Sequence, residues 1–384
     1  MIESIETQAA FLLVRPEWEA LYLTSGASNP FLTWSWLANW IQYLPPRFVA
    51  LLHRPTPTAP PDAAMILGWT GAQLAWDEDH SSRSAILALP GRPPPLRSFL
   101  LHLARHHWQG FDRLVLNRVE NPEAFRREMD TALGALRFLY FGTETATSRV
   151  VATHTPFAEY LAGRSSKVRQ ELRRKDRAAA RLLPGLEIDE LSLQTGPAEA
   201  MAIIEEVERD SWKARAQTAI VSSEKERRFY AGVLALSEDR TRARMFVLRG
   251  TGGPVAFVLG LQHDRVFYAL KTSYRLDHEA LGPGQVLFFR LIERLCDHDP
   301  KTDALELLGN DCRWKKELAT SARQEASFEL VRPCARGLVR AVLQGQLAPL
   351  ARQTAARHPK LSRRLEPLRR ATRKVRQRLH PGIG

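Results

Sequence analysis

Three groups of residues in this chain have the types and spacing to do chemistry. Gly282-Pro283-Gly284-Gln285 stands directly before an apolar repeat of helical period, Val286, Leu287, Phe289, Leu291, Ile292 and Leu295. A glycine turn at a helix start presents free backbone N–H groups, which suit an anion such as a phosphate. Pro283 removes one of those donors, and the other reading of the glycines is that they only make the turn. Lys271 follows Phe267-Tyr268-Ala269-Leu270 at the end of a predicted strand. There it could face a cleft and hold an anionic group or a developing oxyanion; the alternative is a lysine ending an edge strand. Asp311, followed one turn later by Lys315 and Lys316, is a candidate carboxylate to orient or deprotonate a nucleophile. Neighbouring ammonium groups would lower its pKa, which suits orienting better than proton removal, and Asn310 or Asp311 could equally be a helix N-cap. A site for donor phosphates, a cation for an oxyanion and a carboxylate for an amine are the parts that acyl transfer from a thioester requires.

Other chemistries lack their residues. There is no GxSxG elbow and no HExxH pair; His106-His107 sits on a predicted helix without a third ligand; Gly250, Gly252 and Gly253 separate two strands as a hairpin. Cys296, Cys312 and Cys334 are odd in number and far apart, which indicates neither a disulfide framework nor a zinc site.

The elements that must position these residues are legible from period and punctuation. In the first half, helices are expected over 15–25, from Asn29-Pro30 through Ile41, from Pro95 to about His107 and over 122–136. Strands are expected at 48–52, 64–70, 113–119, 138–141 and 148–151. The second half opens on a cationic helix from Ser165 or Ser166 to Leu183, followed by helices over 198–212 and 224–237. A meander of 244–249, 255–261 and 266–272 follows, then the glycine loop, a buried helix, a strand at 304–308 and a helix over 314–320. Strands and helices alternating through both halves give an α/β class.

Six segments, in order, resemble the CelD-type acetyltransferases of the GNAT superfamily, a family named from a cellulose-biosynthesis protein and related to the Fem peptidyltransferases. They are Asn29-Pro30-Phe31 with Trp34-Ser35-Trp36-Leu37, Ser166-Lys167-Val168-Arg169 through Arg173-Arg174, Ser211-Trp212-Lys213, Tyr268-Ala269-Leu270-Lys271, Leu281-Gly282-Pro283-Gly284 and Gly309-Asn310-Asp311 through Trp314-Lys315. Gly282, Asn310 and Trp314 depart from the family's usual serine, glycine and tyrosine. The resemblance implies two tandem GNAT-like domains with mixed sheets flanked by helices: a degenerate one over 1–151 and an acyltransferase domain over 152–331. It implies direct transfer of an acyl group, acetyl first among them, from acyl-CoA as co-substrate, with no permanently bound cofactor. Gly282, Gly284 and Gln285 would hold the donor, Lys271 and Asp311 would act in catalysis, and Trp212, Lys213, Tyr268 and Lys315 would contact the acceptor. That acceptor is expected to be an amine or hydroxyl of a sugar, amino acid or exopolysaccharide precursor. Core packing is the alternative for Trp212.

The formal charge of +13 is not spread along the chain. Residues 332–384 hold fourteen Lys and Arg against the single acid Glu366, which leaves 1–331 neutral. Leu361, Leu365, Leu368, Val375 and Leu379 in this tail have helical spacing. A basic helical tail on a neutral body suits attachment to an anionic membrane, an acidic partner or RNA, or packing back on the body. tRNA as the acyl carrier, as in a Fem-like transferase, and a non-catalytic accessory protein of exopolysaccharide assembly are the rival readings. With 44% hydrophobic residues, no long apolar run and an acidic start at Met1 to Glu6, the sequence is expected to be cytoplasmic, or peripheral at the inner membrane face through the tail.

Overall fold

The computed structural model describes residues 1–331 apart from 72, 77–79, 82, 84, 92–93, 108–109, 112, 134–138 and 217, and without the side chains of 133, 139–145, 212 and 216. The basic tail therefore lies outside the described residues. In chain order the first elements are β1 (Ile2–Ile5), α1 (Gln8–Leu13), α2 (Arg15–Ser25), α3 (Trp34–Tyr43), β2 (Phe48–His53), β3 (Ala63–Thr70), β4 (Gln73–Ala75), β5 (Leu87–Ala88), α4 (Leu96–His106), β6 (Arg113–Glu120), α5 (Pro122–Leu133) and β7 (Leu139–Ala152). Then come α6 (Phe157–Ala162), α7 (Ser166–Leu182), β8 (Glu187–Glu190), α8 (Pro197–Arg209), α9 (Trp212–Ala216), α10 (Glu224–Leu234), β9 (Thr241–Gly250), β10 (Gly253–His263), β11 (Val266–Tyr274), α11 (Pro283–His298), β12 (Ala304–Leu307), α12 (Arg313–Leu318) and β13 (Ser321–Val331).

Two compact units share the chain, one built from Met1–Ser25, Pro45–Thr145 and the segment from Ala326 onward, the other from Gly26–Leu44 and Ala146–Glu325. This division is interleaved, whereas the sequence suggests consecutive segments. The reason is local: Trp36 of α3 packs edge-on against Phe229 of α10 at 5.4 Å, and Asn39 donates to the Phe229 carbonyl at 3.0 Å. The dense aromatics of 31–40 are core, as their spacing suggests, but core of the second unit.

Both units carry the same order of pairings. In the first, β1, β2, β3 and β4 pair antiparallel in succession, β6 pairs parallel with β4, and β13 lies beyond β6; β5 adds to β3. In the second, β8, β9, β10 and β11 pair antiparallel in succession, β12 pairs parallel with β11, and β7 pairs antiparallel with β12. Each last strand comes from outside the run that supplies the others: β7 precedes its sheet and β13 follows the whole of the other.

The second unit positions the candidate site. Phe246, Val258, Phe267, Leu287, Ile292 and Leu305 form a buried core with Phe157 of α6 and Leu172 of α7, so α6, α7 and α11 cover one face. Leu259, Leu261 and Tyr268 point to the other face, under α3, α8 and α10, where Trp36, Ile204, Val207 and Phe229 are fully buried. Burial on both faces explains why β10 reads as an unbroken apolar run without alternation. Away from the site, the buried guanidinium of Arg244 binds Glu190 at 2.6 Å and Asp299 at 2.6 Å, tying β9 to β8 and to the end of α11. Among the described residues no helix is long and apolar enough to cross a membrane.

Candidate functional site

Residues 276–281 form a 3-10 turn that ends on Gly282, whose φ of 64° is left-handed and favours glycine; α11 starts immediately after it. Pro283 occupies the first helical position, where its missing N–H costs nothing. Gln285 and Val286 both donate their N–H groups to the Gly282 carbonyl, at 2.9 and 3.1 Å. The Gly284 N–H is left without a partner among the described residues. A glycine loop alone would thus be a thin anion cradle. Lys175 of α7 completes it: its ammonium hydrogen-bonds the Gln285 side-chain oxygen and lies 3.4 Å from the Glu171 carboxylate. One free amide, one carboxamide and one ammonium at the positive end of a sixteen-residue helix fit a phosphate-bearing donor.

β11 runs between β10 and β12, so Lys271 does not end an edge strand. Parallel pairing with β12 covers only Val266 with Ala304, Phe267 with Leu305 and Tyr268 with Glu306. From Ala269 to Tyr274, β11 continues without a paired residue on that side among the described residues, and the two strands part. On its other side Lys271 faces Leu259 and Ala269 faces Gly260, leaving Leu270 as an extra residue, a β-bulge. Because of it, Tyr268 and Lys271 share a face although they are three residues apart. Gly260 is required at this crossing, since a Cβ there would collide with the Tyr268 carbonyl and the Phe267 ring. Two parallel strands that part beside a bulge expose backbone amides in a wedge, the geometry needed to hold a thioester arm and its developing oxyanion. Lys271 places its ammonium 5.4 Å from the centre of the Tyr230 ring. Tyr268 is buried, with its hydroxyl donating to the Ser28 carbonyl at 3.1 Å and its ring edge-on to Phe31.

Below Lys271 lies a buried ion pair. Glu208, at the end of α8, is fully buried; one carboxylate oxygen accepts the Ile220 N–H at 2.6 Å and the other is 3.5 Å from the Lys213 ammonium. Burial pushes Lys213 down to about 8, the nearby Lys271 charge adds to that, and the Glu208 carboxylate opposes it. Burial raises Glu208, with Lys213 opposing. Ser211 fixes the corner between α8 and α9 by donating to the Glu208 carbonyl at 2.8 Å and accepting from Ala214 N–H at 3.3 Å. Trp212 begins α9, and its side chain lies outside the described residues.

Asp311 lies past the end of β12 and is held by Arg149 of β7 through two hydrogen bonds of 2.9 Å, with Lys316 at 3.3 Å. The Arg149 guanidinium, helped by Lys316, pulls its carboxyl down to about 2. Such a carboxylate stays ionised at neutral pH and is a poor proton acceptor. Capping does not account for it either, because the N-cap of α12 is Cys312. Lys315 turns back on its own loop, donating to the carbonyls of Leu308 at 2.5 Å and Asn310 at 3.0 Å. On β12, buried Glu306 accepts from Ser148 at 2.5 Å and lies 3.7 Å from Arg323.

Residues 166–316 match the family model described as "Acetyltransferase (GNAT) domain". The fold is GNAT-like. None of the curated proteins matches the chain. Among solved structures, the chain is similar to FemX, with a TM-score of 0.56 at 10% identity over 88% of this chain and 99% of that one. It is similar to a tandem GNAT protein from the clavulanic acid biosynthesis pathway, with a TM-score of 0.54 at 14% identity over 87% and 100%. It is also similar to the C-terminal DUF2156 domain of a putative lysylphosphatidylglycerol synthetase from Agrobacterium fabrum, with a TM-score of 0.53 at 11% identity over 88% and 98%. At these identities the likeness is one of fold.

Within the GNAT-like unit the structure gathers Lys271, Tyr268 and Lys213 on one face and Gly282, Gly284 and Gln285 at the start of α11; Asp311 and Lys315 sit past β12 in contacts of their own. Four residues escaped the sequence reading: Lys175, Glu208, Arg149 and Glu306. Lys175 lies among eight basic residues between 164 and 181, which conceal it. Glu208 had a signal, standing one turn after Ile204 on the inward stripe of α8.

Proposed function

We propose that this protein is a GNAT-type acyltransferase that moves an acyl group, acetyl or longer, directly from acyl-CoA to an amine or hydroxyl of a sugar, amino acid or exopolysaccharide precursor. The observation that carries this reading is the parting of β11 from β12 beside the Leu270 bulge, with a cation-backed helix start after the 3-10 turn that follows β11. In this reading the Gly284 N–H, Gln285 and Lys175 hold the donor pyrophosphate, and the free amides of β11 take the thioester oxygen. Lys271 adds positive charge on the acceptor side. Asp311 orients through its ion pairs, and Lys213, which burial brings down to about 8, is the better proton acceptor on this face once it has given up its own proton. The six ordered motifs favour a CelD-type branch. Binding of the tail to an anionic membrane is part of the same reading.

Calorimetric and thermal-shift titration with CoA, acetyl-CoA and longer acyl-CoAs tests it. A ligand at about 100 times its Kd stabilises the native state by roughly 2.7 kcal/mol, a shift of a few degrees. A flat response in all three would remove the CoA reading. The exposed Arg173, Arg177 and Arg181, four residues apart along α7, favour a second reading in which tRNA carries the acyl group. Such binding would weaken steeply with salt, whereas CoA binding through few phosphate contacts would not.

A further inference from the structure

We infer that a cleft beside the end of β11 binds the anionic group of the acceptor, a carboxylate or a phosphate; this rests on the acyltransferase reading above. The cleft has a volume of about 280 Å³ and is lined by Arg209, Asp210, Ser211, Arg215, Leu276 and Asp277. Backbone fixes its place. Leu276, two residues past β11, donates its N–H to the Asp210 carbonyl at 3.0 Å, which ties the parted strand to the corner between α8 and α9. Ser211 in its wall is fully buried and hydrogen-bonds the Glu208 backbone, so the cleft adjoins the face that carries Lys213 and Lys271. The donor loop is reached instead by Lys175 from α7, on the opposite face of the sheet.

Several exposed arginines of the unit are neutralised in place: Arg227 by Glu205 at 2.7 Å, Arg228 by Glu224 at 2.8 Å, Arg240 by Asp264 at 2.6 Å and Arg313 by Glu317 at 2.7 Å, whereas the stripe of Arg173, Arg177 and Arg181 on α7 lies outside this cleft. In the cleft Arg275 occupies Asp277 at 2.7 Å, while the Arg209 and Arg215 guanidiniums have no hydrogen-bond or ion-pair partner among the described residues. Two unpaired guanidiniums outweigh the one remaining carboxylate, Asp210. Their planar donor forks match a carboxylate or phosphate better than any neutral group. Lys213, by contrast, is already paired with Glu208. The anion of the acceptor therefore falls to the cleft, and its nucleophile is left to reach toward Lys271.

The full-length protein, saturated with CoA, is titrated calorimetrically with glucosamine 6-phosphate, glutamate and unphosphorylated glucosamine, then the same is done with the Arg209→Gln/Arg215→Gln double variant. The phosphorylated sugar is expected to bind roughly tenfold or more tighter than glucosamine in the wild type. In the double variant that preference disappears while CoA affinity is unchanged. A preference that survives the double substitution, or no measurable binding of either anionic probe to CoA-loaded protein, overturns the inference. So does loss of the discrimination between CoA and dephospho-CoA in the variant, because the cleft would then serve the donor's 3′-phosphate. A wild type that ignores CoA counts against the acyltransferase reading instead; titration with inorganic phosphate alone then still decides whether the two arginines form an anion site.

Discussion

Lys213 is expected to lose its proton near pH 8, and this has a measurable consequence for stability. In the native state burial holds its pKa at about 8, against 10.5 in the unfolded chain. Below pH 8 the native state carries a buried ammonium that the unfolded chain carries in water, and stability is lowest. Between 8 and 10.5 the native lysine is already neutral while the unfolded one still binds a proton, so native stability rises with pH across this window. At 1.36 kcal/mol per unit the full gain is about 3 kcal/mol, complete above 10.5. Urea unfolding of wild type and Lys213→Met at half-unit steps from pH 7 to 10.5 isolates this contribution, because all other groups titrate in both proteins. Wild type should gain about 3 kcal/mol relative to the variant over the series. Lysine side-chain NMR gives the pKa directly, and Glu208→Gln should move it lower still, since the carboxylate is what opposes the burial. A Lys213 signal titrating at 10.5, or parallel stability curves for the two proteins, would refute the reasoning and remove Lys213 as proton acceptor.

Lys175→Met should weaken CoA binding by roughly tenfold or more by calorimetry, the loss of one charged hydrogen-bonding partner, with Tm nearly unchanged. Gly260→Ala should cost about 1–3 kcal/mol in urea unfolding through overpacking against β11, and its acyl transfer should fall further than its stability because the bulge shifts. Arg244→Met strands the carboxylates of Glu190 and Asp299 and should lower unfolding free energy by about 3–5 kcal/mol. Asp311→Asn should leave any neutral-pH limb of the rate profile in place, since its carboxyl sits at about 2; a limb that disappears would restore it as the base.

Much of the fold was legible because its signals are local. The period of Val286 to Leu295, the hairpin glycines at 250–253 and the cap at Ser165 each fix an element within a few residues. What escaped depends on distant partners. β4 is three residues long, β8 is mostly polar and half-buried, and β13 carries exposed Ser321 to Gln324, so none shows the expected alternation. The expected strands at 138–141 and 148–151 are one strand, β7, because Gly142 and the threonines between them extend rather than turn. At the site, residue types suggested an anion loop and a cleft lysine. The bulge at Leu270, which turns Lys271 to the face of Tyr268, belongs to the register of two strands and leaves no mark in one of them. Asp311 was legible as an orienting carboxylate from Lys315 and Lys316 nearby, but not the main holder of its charge, because Arg149 is 162 residues away.

The interleaving of the two units has a hereditary consequence. A gene fragment beginning at residue 152 would encode β8 to β12 but neither α3 nor β7. It would leave Phe229 without Trp36, and the amides of Ala304 to Leu307 without the strand that pairs with them. An open strand edge of that kind invites pairing with other chains. Recombination at a single point can therefore not free the second unit intact, because its segments Gly26–Leu44 and Ala146–Glu325 flank one that belongs to the first.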